Sequence, residues 1–189
     1  MQRIVIIHGW GGNPNGDWLP WANKALTEAG FEVLVPEMPD TEHPKIESWL
    51  ETLTKTIGQP RPDDILIGHS IGCQTILRYL ARLGGGQKIN KAILIAPWWY
   101  LTLTKNEEET DAEPWLNTPV DFTKVTPKAN KFICVFSKSD PWVPYSKNVD
   151  FFKRNLNPEI ITKDGPGHFT ADEGATKIDF LLDLVKQHG

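Results

Sequence analysis

Cysteine is scarce in this sequence, with only Cys73 and Cys134 among 189 residues. Cys73 follows an apolar helical pattern, and Cys134 lies within an apolar run that predicts a strand. A free cysteine in such a position behaves as a small buried hydrophobic residue. The two cysteines therefore predict neither a disulfide framework nor a pair of metal ligands.

Basic charge and long apolar runs are lacking as well. The 20 lysine and arginine residues are outnumbered by 24 aspartate and glutamate residues, which gives a formal net charge of −4. No basic field favours nucleic acid or an anionic membrane, so we expect a neutral or cationic small molecule as the partner. No apolar run is long enough to span a bilayer, and residues 4–7 are too short for a signal-peptide core. We expect a cytoplasmic protein, and the composition gives no oligomeric state.

The glycine-rich loops lack the residues that common cofactor motifs require. A dinucleotide fingerprint that begins at Gly9 and Gly11 would need a third glycine where Pro14 stands. The three glycines at 84–86 are not followed by the lysine and the serine or threonine of a phosphate-binding loop. No pair of histidines has the spacing of metal ligands. The sequence therefore predicts no cofactor and no metal.

Apolar runs and amphipathic stretches alternate along the chain. Six short apolar runs predict strands, at residues 3–7, 31–35, 63–67, 92–96, 132–136 and 159–162. Amphipathic stretches between them predict helices, the first of which Asp17 is expected to cap. Strands joined through helices form right-handed crossovers, so the prediction is an α/β three-layer sandwich with about six parallel strands and helices on both faces.

One domain is expected to cover residues 1–189, because 40% of the residues are apolar and can fill a single core of this size. Segment 97–130 is long for a connection and is predicted to be irregular. Long connections of this kind are where functional lids lie, so we expect the segment to be cap-like.

The stretch Gly68-His69-Ser70-Ile71-Gly72 joins the third predicted strand to an amphipathic helix. A serine at such a sharp turn has a strained backbone with little room for neighbouring side chains, and flanking glycines relieve the clash. The N-terminus of the helix also favours negative charge that develops beside the serine. The pattern predicts that Ser70 is a nucleophile, and an ordinary serine helix cap is the alternative.

A serine nucleophile needs a base that accepts its proton, and histidine is the usual one. Four of the five histidines lie in unfavourable places, namely the first loop, a polar connection, the position next to the serine and the C-terminal end: His8, His43, His69 and His188. His168 lies in a glycine-rich loop after the last predicted strand, at the sheet edge where open α/β folds bind ligands. His168 is therefore the predicted base.

Asp140 follows the predicted strand 132–136, where it can orient the imidazole of His168 and stabilise its charged form. Asp164 is the rival acid because it too follows a strand, but the three residues between it and His168 leave it little reach. The order Ser70, Asp140, His168 is also the serine, acid, histidine order of α/β-hydrolases. We therefore favour Asp140.

The glycine-rich loop 8–12 after the first strand can supply a backbone N–H to a negatively charged oxygen. Acyl transfer passes through a tetrahedral intermediate whose oxyanion is stabilised by two such donors. We expect the N–H of Trp10 to be one donor and the N–H of Ile71, directly after the serine, to be the other.

Aromatic residues fall on loops at the same edge of the predicted sheet. Trp98 and Trp142 are predicted to form an aromatic wall for an apolar acyl or leaving group, with simple packing as the alternative. The acidic run 107–113 could attract a cationic substrate, but a solvated surface is the favoured interpretation.

These motifs resemble those of the α/β-hydrolase superfamily and, within it, the small YdeN-like serine hydrolases related to retinoblastoma-binding protein nine. The resemblance covers essentially the whole chain and rests on HGWGG at 8–12, GHSIGC at 68–73, APW at 96–98, SDPWVP at 139–144 and GHF at 167–169. It implies that Ser70 is the nucleophile, Asp140 the acid and His168 the base.

The sequence departs from the larger hydrolases, which have two further strands before the strand that leads into His8-Gly9. We therefore expect a minimal α/β-hydrolase that lacks those strands and a large helical lid, with a shallow and open pocket. The resemblance implies hydrolysis of small carboxyl esters or amides. A non-catalytic protein- or ligand-binding module on a hydrolase scaffold and an acyltransferase are the alternatives.

Overall fold

A sheet of six parallel strands forms the centre of the protein. A computed structural model describes residues 1–103 and 106–187, apart from the side chains of 106–109. The strands are β1 (Arg3–Ile7), β2 (Glu32–Leu34), β3 (Ile65–His69), β4 (Ile89–Ile95), β5 (Ala129–Ser137) and β6 (Glu159–Lys163). Neighbouring strands pair in parallel, in the order β2-β1-β3-β4-β5-β6. The predicted parallel sheet is confirmed.

The third strand lies two residues later in the chain than the predicted 63–67. Asp64 precedes the strand, where its carboxylate forms a buried ion pair with Arg3 at 2.6 Å and accepts a hydrogen bond from the Arg61 N–H. β3 begins at Ile65 and runs as far as His69, directly before the serine. The sheet thus carries the serine to its carboxyl edge without an intervening loop.

The strand order creates a crevice at that edge. β2 lies on one side of β1 and β3 on the other, so the loops that follow β1 and β3 lead to opposite sides of the sheet. Open α/β sheets bind ligands at such a switch point, outside the carboxyl ends of the strands. The glycine-rich loop 8–12 and the turn that carries Ser70 both lie at this edge.

Helices cover both faces of the sheet, as predicted. They are α1 (Leu19–Glu28), α2 (Ile46–Ile57), α3 (Ile71–Arg82), α4 (Asn106–Asn117), α5 (Phe122–Val125), α6 (Tyr145–Leu156) and α7 (Phe180–Lys186). Alternate residues of each strand point to opposite faces. On β1, Ile4 and Ile6 join a core with α1 and α7, whereas Val5 and Ile7 join a core with α2, α3 and α6.

The prediction that segment 97–130 is irregular is wrong, because the segment contains α4 and α5. Ala112 and Trp115 on α4 are buried, and the indole N–H of Trp115 donates to the Pro44 carbonyl at 2.8 Å. The acidic residues around them obscure this apolar spacing, and Pro114 lies inside the helix, where proline usually marks an end.

The prediction that Asp17 caps the first helix is also wrong. The N-cap is Trp18, and no side chain caps the helix N-terminus. Asp17 has a left-handed backbone, with φ of 49°, and its carboxylate accepts a hydrogen bond from the Ala171 N–H at 2.7 Å. Asp17 thus connects the loop after β1 to the chain that follows His168.

Cys73 and Cys134 are buried and free, as predicted, and burial raises the pKa of both thiols. None of the helices within 1–103 and 106–187 combines the length and apolar character needed to cross a bilayer.

Candidate active site

Ser70 lies at the turn between β3 and α3 with a strained backbone. Its φ is 52° and its ψ is −118°, a conformation that residues other than glycine rarely adopt. The turn is held by two backbone hydrogen bonds of 2.9 Å, from the Ser70 N–H to the Ile95 carbonyl and from the Cys73 N–H to the Ser70 carbonyl. This conformation projects the serine side chain out of the regular hydrogen-bonded structure.

The glycines on either side are required by space. A Cβ on Gly72 would overlap the Ile7 carbonyl oxygen and lie 2.8 Å from the His8 carbonyl oxygen, whereas real Cβ contacts essentially never fall below 3.0 Å. A Cβ on Gly68 would lie 2.7 Å from the Cys73 nitrogen. All of these neighbours are backbone atoms and cannot rotate away. The end of β1 therefore packs directly against the first turn of α3.

Gly72→Ala tests this close packing. We expect the substitution to lower the free energy of unfolding by about 3 kcal/mol or more, because the new methyl group forces β1 and α3 apart. Gly85→Ala is the matched control, since a Cβ there meets nothing within 4 Å. Urea denaturation of both variants gives the comparison, and equal loss in the two would contradict the argument.

Asp140 and His168 are brought into contact by the loops after β5 and β6. His168 Nδ1 lies 2.7 Å from Asp140 Oδ2, and the two side chains are 8% and 2% exposed. The other carboxylate oxygen of Asp140 accepts the N–H groups of Trp142 and Val143, each at 3.0 Å. The carboxylate is thus fixed by main chain on one side and faces the imidazole on the other.

Asp164, the rival acid, is placed elsewhere. Its side chain is 81% exposed and forms an ion pair with Lys138 at 3.3 Å. It makes no hydrogen bond to His168 among the residues that the structure describes. The geometry therefore favours Asp140 over Asp164 as the partner of this imidazole.

Ser70 and His168 line the same cavity of about 590 Å³ at the carboxyl edge of the sheet, together with Trp10, Trp98 and Trp142. The Ser70 hydroxyl oxygen accepts a hydrogen bond from the Trp98 indole N–H at 3.3 Å. Within the described residues, His168 and Ser70 share no direct hydrogen bond. Such bonds are often long without a substrate and shorten when it binds.

Trp98 and Trp142 differ sharply in exposure. Trp98 is 1% exposed and packs in the core on the α3 side of the sheet, so it presents only its indole edge to Ser70. Trp142 is 41% exposed, and its ring meets that of His168 edge to face, with 5.1 Å between centroids. Of the two, only Trp142 offers an extensive surface to a bound molecule.

His69 supports the loop that carries His168. Its Nε2 lies 2.8 Å from the His168 carbonyl oxygen, so this nitrogen carries the proton and donates. Burial lowers the pKa of His69 to about 3, which keeps the imidazole neutral. The sequence indicated only that His69, next to the serine, is badly placed to act as its base, and it did not show which chain segment His69 contacts.

His8 has a comparable role in the loop after β1. Its Nδ1–H donates to the Gly9 carbonyl at 2.9 Å, and its Nε2 accepts the Met38 N–H at 3.1 Å. Burial lowers the pKa of His8, consistent with this neutral tautomer. The Gly12 N–H donates to the same Gly9 carbonyl at 3.2 Å. The peptide between Gly9 and Trp10 is therefore fixed through its carbonyl group.

The two predicted oxyanion donors are free in the described part of the chain. The carbonyl and N–H of a trans peptide point in opposite directions, so the Trp10 N–H faces away from His8 and Gly12. Neither it nor the Ile71 N–H donates to any described acceptor. A Cβ on Gly9 would lie 3.5 Å from Ser70 Cβ, which shows how close this loop is to the serine.

His43 and Asp111, the latter a residue of the acidic run, line the same cavity as Ser70. His43 Nδ1 is 2.8 Å from Asp111 Oδ2 on α4, and this carboxylate raises the pKa of His43. His188 and the side chains of 107–109 are outside the described residues. In 1–103 and 106–187, no group of three or more potential metal ligands lies together.

The fold and the sequence are shared with known hydrolases. The profile of a family described as serine hydrolase matches residues 4–187. The chain is 28% identical to YdeN of Bacillus subtilis strain 168, which is named as a hydrolase, over 99% of this chain and 96% of YdeN. The crystal structure of the B. subtilis ydeN gene product superposes with a TM-score of 0.88, at 26% identity over 98% of this chain and 97% of that one.

A more distant structure has the same fold. Est1E of Butyrivibrio proteoclasticus, solved with bound ferulic acid, superposes with a TM-score of 0.72, at 19% identity over 99% of this chain and 90% of that one. The six parallel strands and their flanking helices thus define a minimal α/β-hydrolase fold. Because the family profile spans 4–187, the chain belongs to the serine hydrolase family and is an enzyme of that type.

Proposed function

We propose that the protein hydrolyses small carboxyl esters or amides through an acyl-enzyme on Ser70. The observation that carries this proposal is the 2.7 Å contact between Asp140 and His168, because the cavity that His168 lines is also lined by Ser70. Ser70, Asp140 and His168 are far apart in the sequence, and all three follow strands at the carboxyl edge of the sheet. Their arrangement suits a nucleophile, a base and an acid that orients the base.

In the proposed acylation step, Ser70 Oγ attacks the substrate carbonyl carbon and its proton passes to His168 Nε2. Asp140 accepts a hydrogen bond from Nδ1–H and stabilises the imidazolium that forms. The carbonyl oxygen becomes an oxyanion, which the N–H groups of Trp10 and Ile71 stabilise. The imidazolium then protonates the departing alcohol or amine as its bond to the carbonyl carbon breaks, which leaves the acyl-enzyme.

Deacylation repeats these events with water as the nucleophile. His168 accepts a proton from water, the hydroxide adds to the acyl carbon, and the same two N–H groups stabilise the second oxyanion. The bond to Ser70 Oγ then breaks, His168 returns the proton to the oxygen, and a carboxylic acid leaves. No additional reactant is needed for the cycle.

Trp142 and Trp98 have separate roles in this proposal. The exposed ring of Trp142 lies beside His168 and offers an apolar surface for an acyl or leaving group. Trp98 donates its indole N–H to the Ser70 hydroxyl oxygen, which leaves the hydroxyl proton free to be donated to His168 when the serine reacts. We infer a small-molecule substrate because the cavity of about 590 Å³ is of ordinary ligand-binding size.

Labelling by a fluorophosphonate probe tests the nucleophile. We expect stoichiometric labelling of the wild-type protein at Ser70, because the probe reacts with a serine activated by a neighbouring base. Ser70→Ala should abolish labelling, while Ser48→Ala on α2, away from the cavity, should label like wild type. Folded wild-type protein that stays unlabelled would instead favour a non-catalytic binding module.

The two candidate acids provide a matched pair for kinetics. Asp140→Asn should lower kcat/KM for p-nitrophenyl esters by about 10⁴-fold, because the amide no longer holds the productive tautomer of His168. Asp164→Asn removes a comparable charge that is exposed and paired with Lys138, so its kcat/KM should match wild type. A large loss with Asp164→Asn, or none with Asp140→Asn, would contradict the assignment.

A further inference from the structure

The backbone is left-handed on both sides of His168 and strained on one of them. Gly167 has a φ of 52° and Phe169 a φ of 60°, and both values are in the left-handed region. Phe169 is not a glycine, so its conformation is disfavoured unless surrounding contacts impose it. Strain of this kind relaxes when the contacts that hold it are removed. The loop that carries the proposed base therefore depends on its supports.

Glu173 holds this loop from one side. Its Oε2 accepts the backbone N–H of His168 and the hydroxyl of Thr170, the latter at 3.0 Å. A Cβ on residue 167 would overlap the Glu173 carboxylate, so a side chain there would displace the carboxylate from the loop. The side chain reaches back from a short 3-10 helix, Ala171–Glu173, that begins three residues after His168.

His69 and Phe169 hold the loop from the other side. The His69 Nε2–H donates to the His168 carbonyl at 2.8 Å. The Phe169 side chain is fully buried, and its N–H donates to the Pro166 carbonyl at 2.9 Å. Both main-chain polar groups of His168 are thus engaged, the N–H by Glu173 and the carbonyl by His69. Among these supports, the Glu173 carboxylate is the one that carries a charge, and charge-assisted hydrogen bonds are the stronger kind.

We propose that Glu173 is a positioning residue that fixes the main chain of His168 so that its imidazole contacts Asp140 and faces Ser70. Glu173 has no contact with the reacting atoms and acts only through the peptide N–H of the base. The consequence for catalysis rests on the proposed function, but the effect on the loop does not. Without the carboxylate, the loop samples other conformations, and the imidazole is less often in the reactive position.

Steady-state kinetics with p-nitrophenyl esters tests the catalytic consequence. Glu173→Ala should lower kcat by about 10- to 100-fold and leave KM nearly unchanged, because misplacing a catalytic group slows the reaction and does not alter the substrate surface. Glu173→Gln keeps an acceptor oxygen and should recover most of the loss. Asp172→Ala is the matched control, since it removes an exposed carboxylate from the same short helix. Its kcat should equal that of wild type.

Hydrogen exchange of the His168 amide gives a second readout that needs no catalysis. Exchange should be at least about tenfold faster in Glu173→Ala than in wild type, because a hydrogen bond to a charged group is lost. Slower catalysis with a parallel change in exchange supports the proposal. Unchanged kcat and unchanged exchange in folded Glu173→Ala, or an equal loss of kcat in Asp172→Ala, would overturn it. If wild type is inactive but Glu173→Ala accelerates exchange, the proposed function fails and the positioning of His168 stands.

Discussion

The site depends on the direct contact between the end of β1 and the first turn of α3. At Gly72 the backbone of α3 lies so close to the carbonyl groups of Ile7 and His8 that no side chain fits between them. This contact places the loop after β1 beside the serine turn. The Trp10 N–H and the Ile71 N–H come from these two neighbouring segments, so their spacing is set by the packing of main chain on main chain. A loop held only by side chains would define that spacing less well.

Three histidines lie near the serine, and their surroundings distinguish them. His8 and His69 are buried, their pKa values are lowered by burial, and each donates one N–H to a loop carbonyl. Neither has a carboxylate partner among the described hydrogen bonds. His168 has Asp140 at 2.7 Å. The two neutral histidines thus stabilise the loops on either side of the serine, and the third is left with the surroundings that suit proton transfer.

Much of the fold followed from local sequence patterns. Buried parallel strands are short continuous apolar runs, and all six were predicted close to their observed positions. Helix α4 was missed because acidic residues and Pro114 conceal the apolar spacing of the buried Ala112 and Trp115. The prediction that Asp17 caps the first helix was wrong because its carboxylate accepts a hydrogen bond from the Ala171 N–H, which is distant in sequence. The roles of His8 and Glu173 involve main-chain groups, which leave no residue pattern to detect.

The most direct measurement is a crystal structure of the protein after reaction with a fluorophosphonate, since the adduct mimics the tetrahedral intermediate. The account predicts phosphorus bonded to Ser70 Oγ, with one phosphoryl oxygen about 2.7–3.1 Å from the N–H groups of both Trp10 and Ile71. It also predicts that His168 Nε2 lies within hydrogen-bond distance of the adduct and that the Asp140 carboxylate still accepts a hydrogen bond from His168 Nδ1. A phosphoryl oxygen directed away from both N–H groups, or an adduct on another residue, would contradict it.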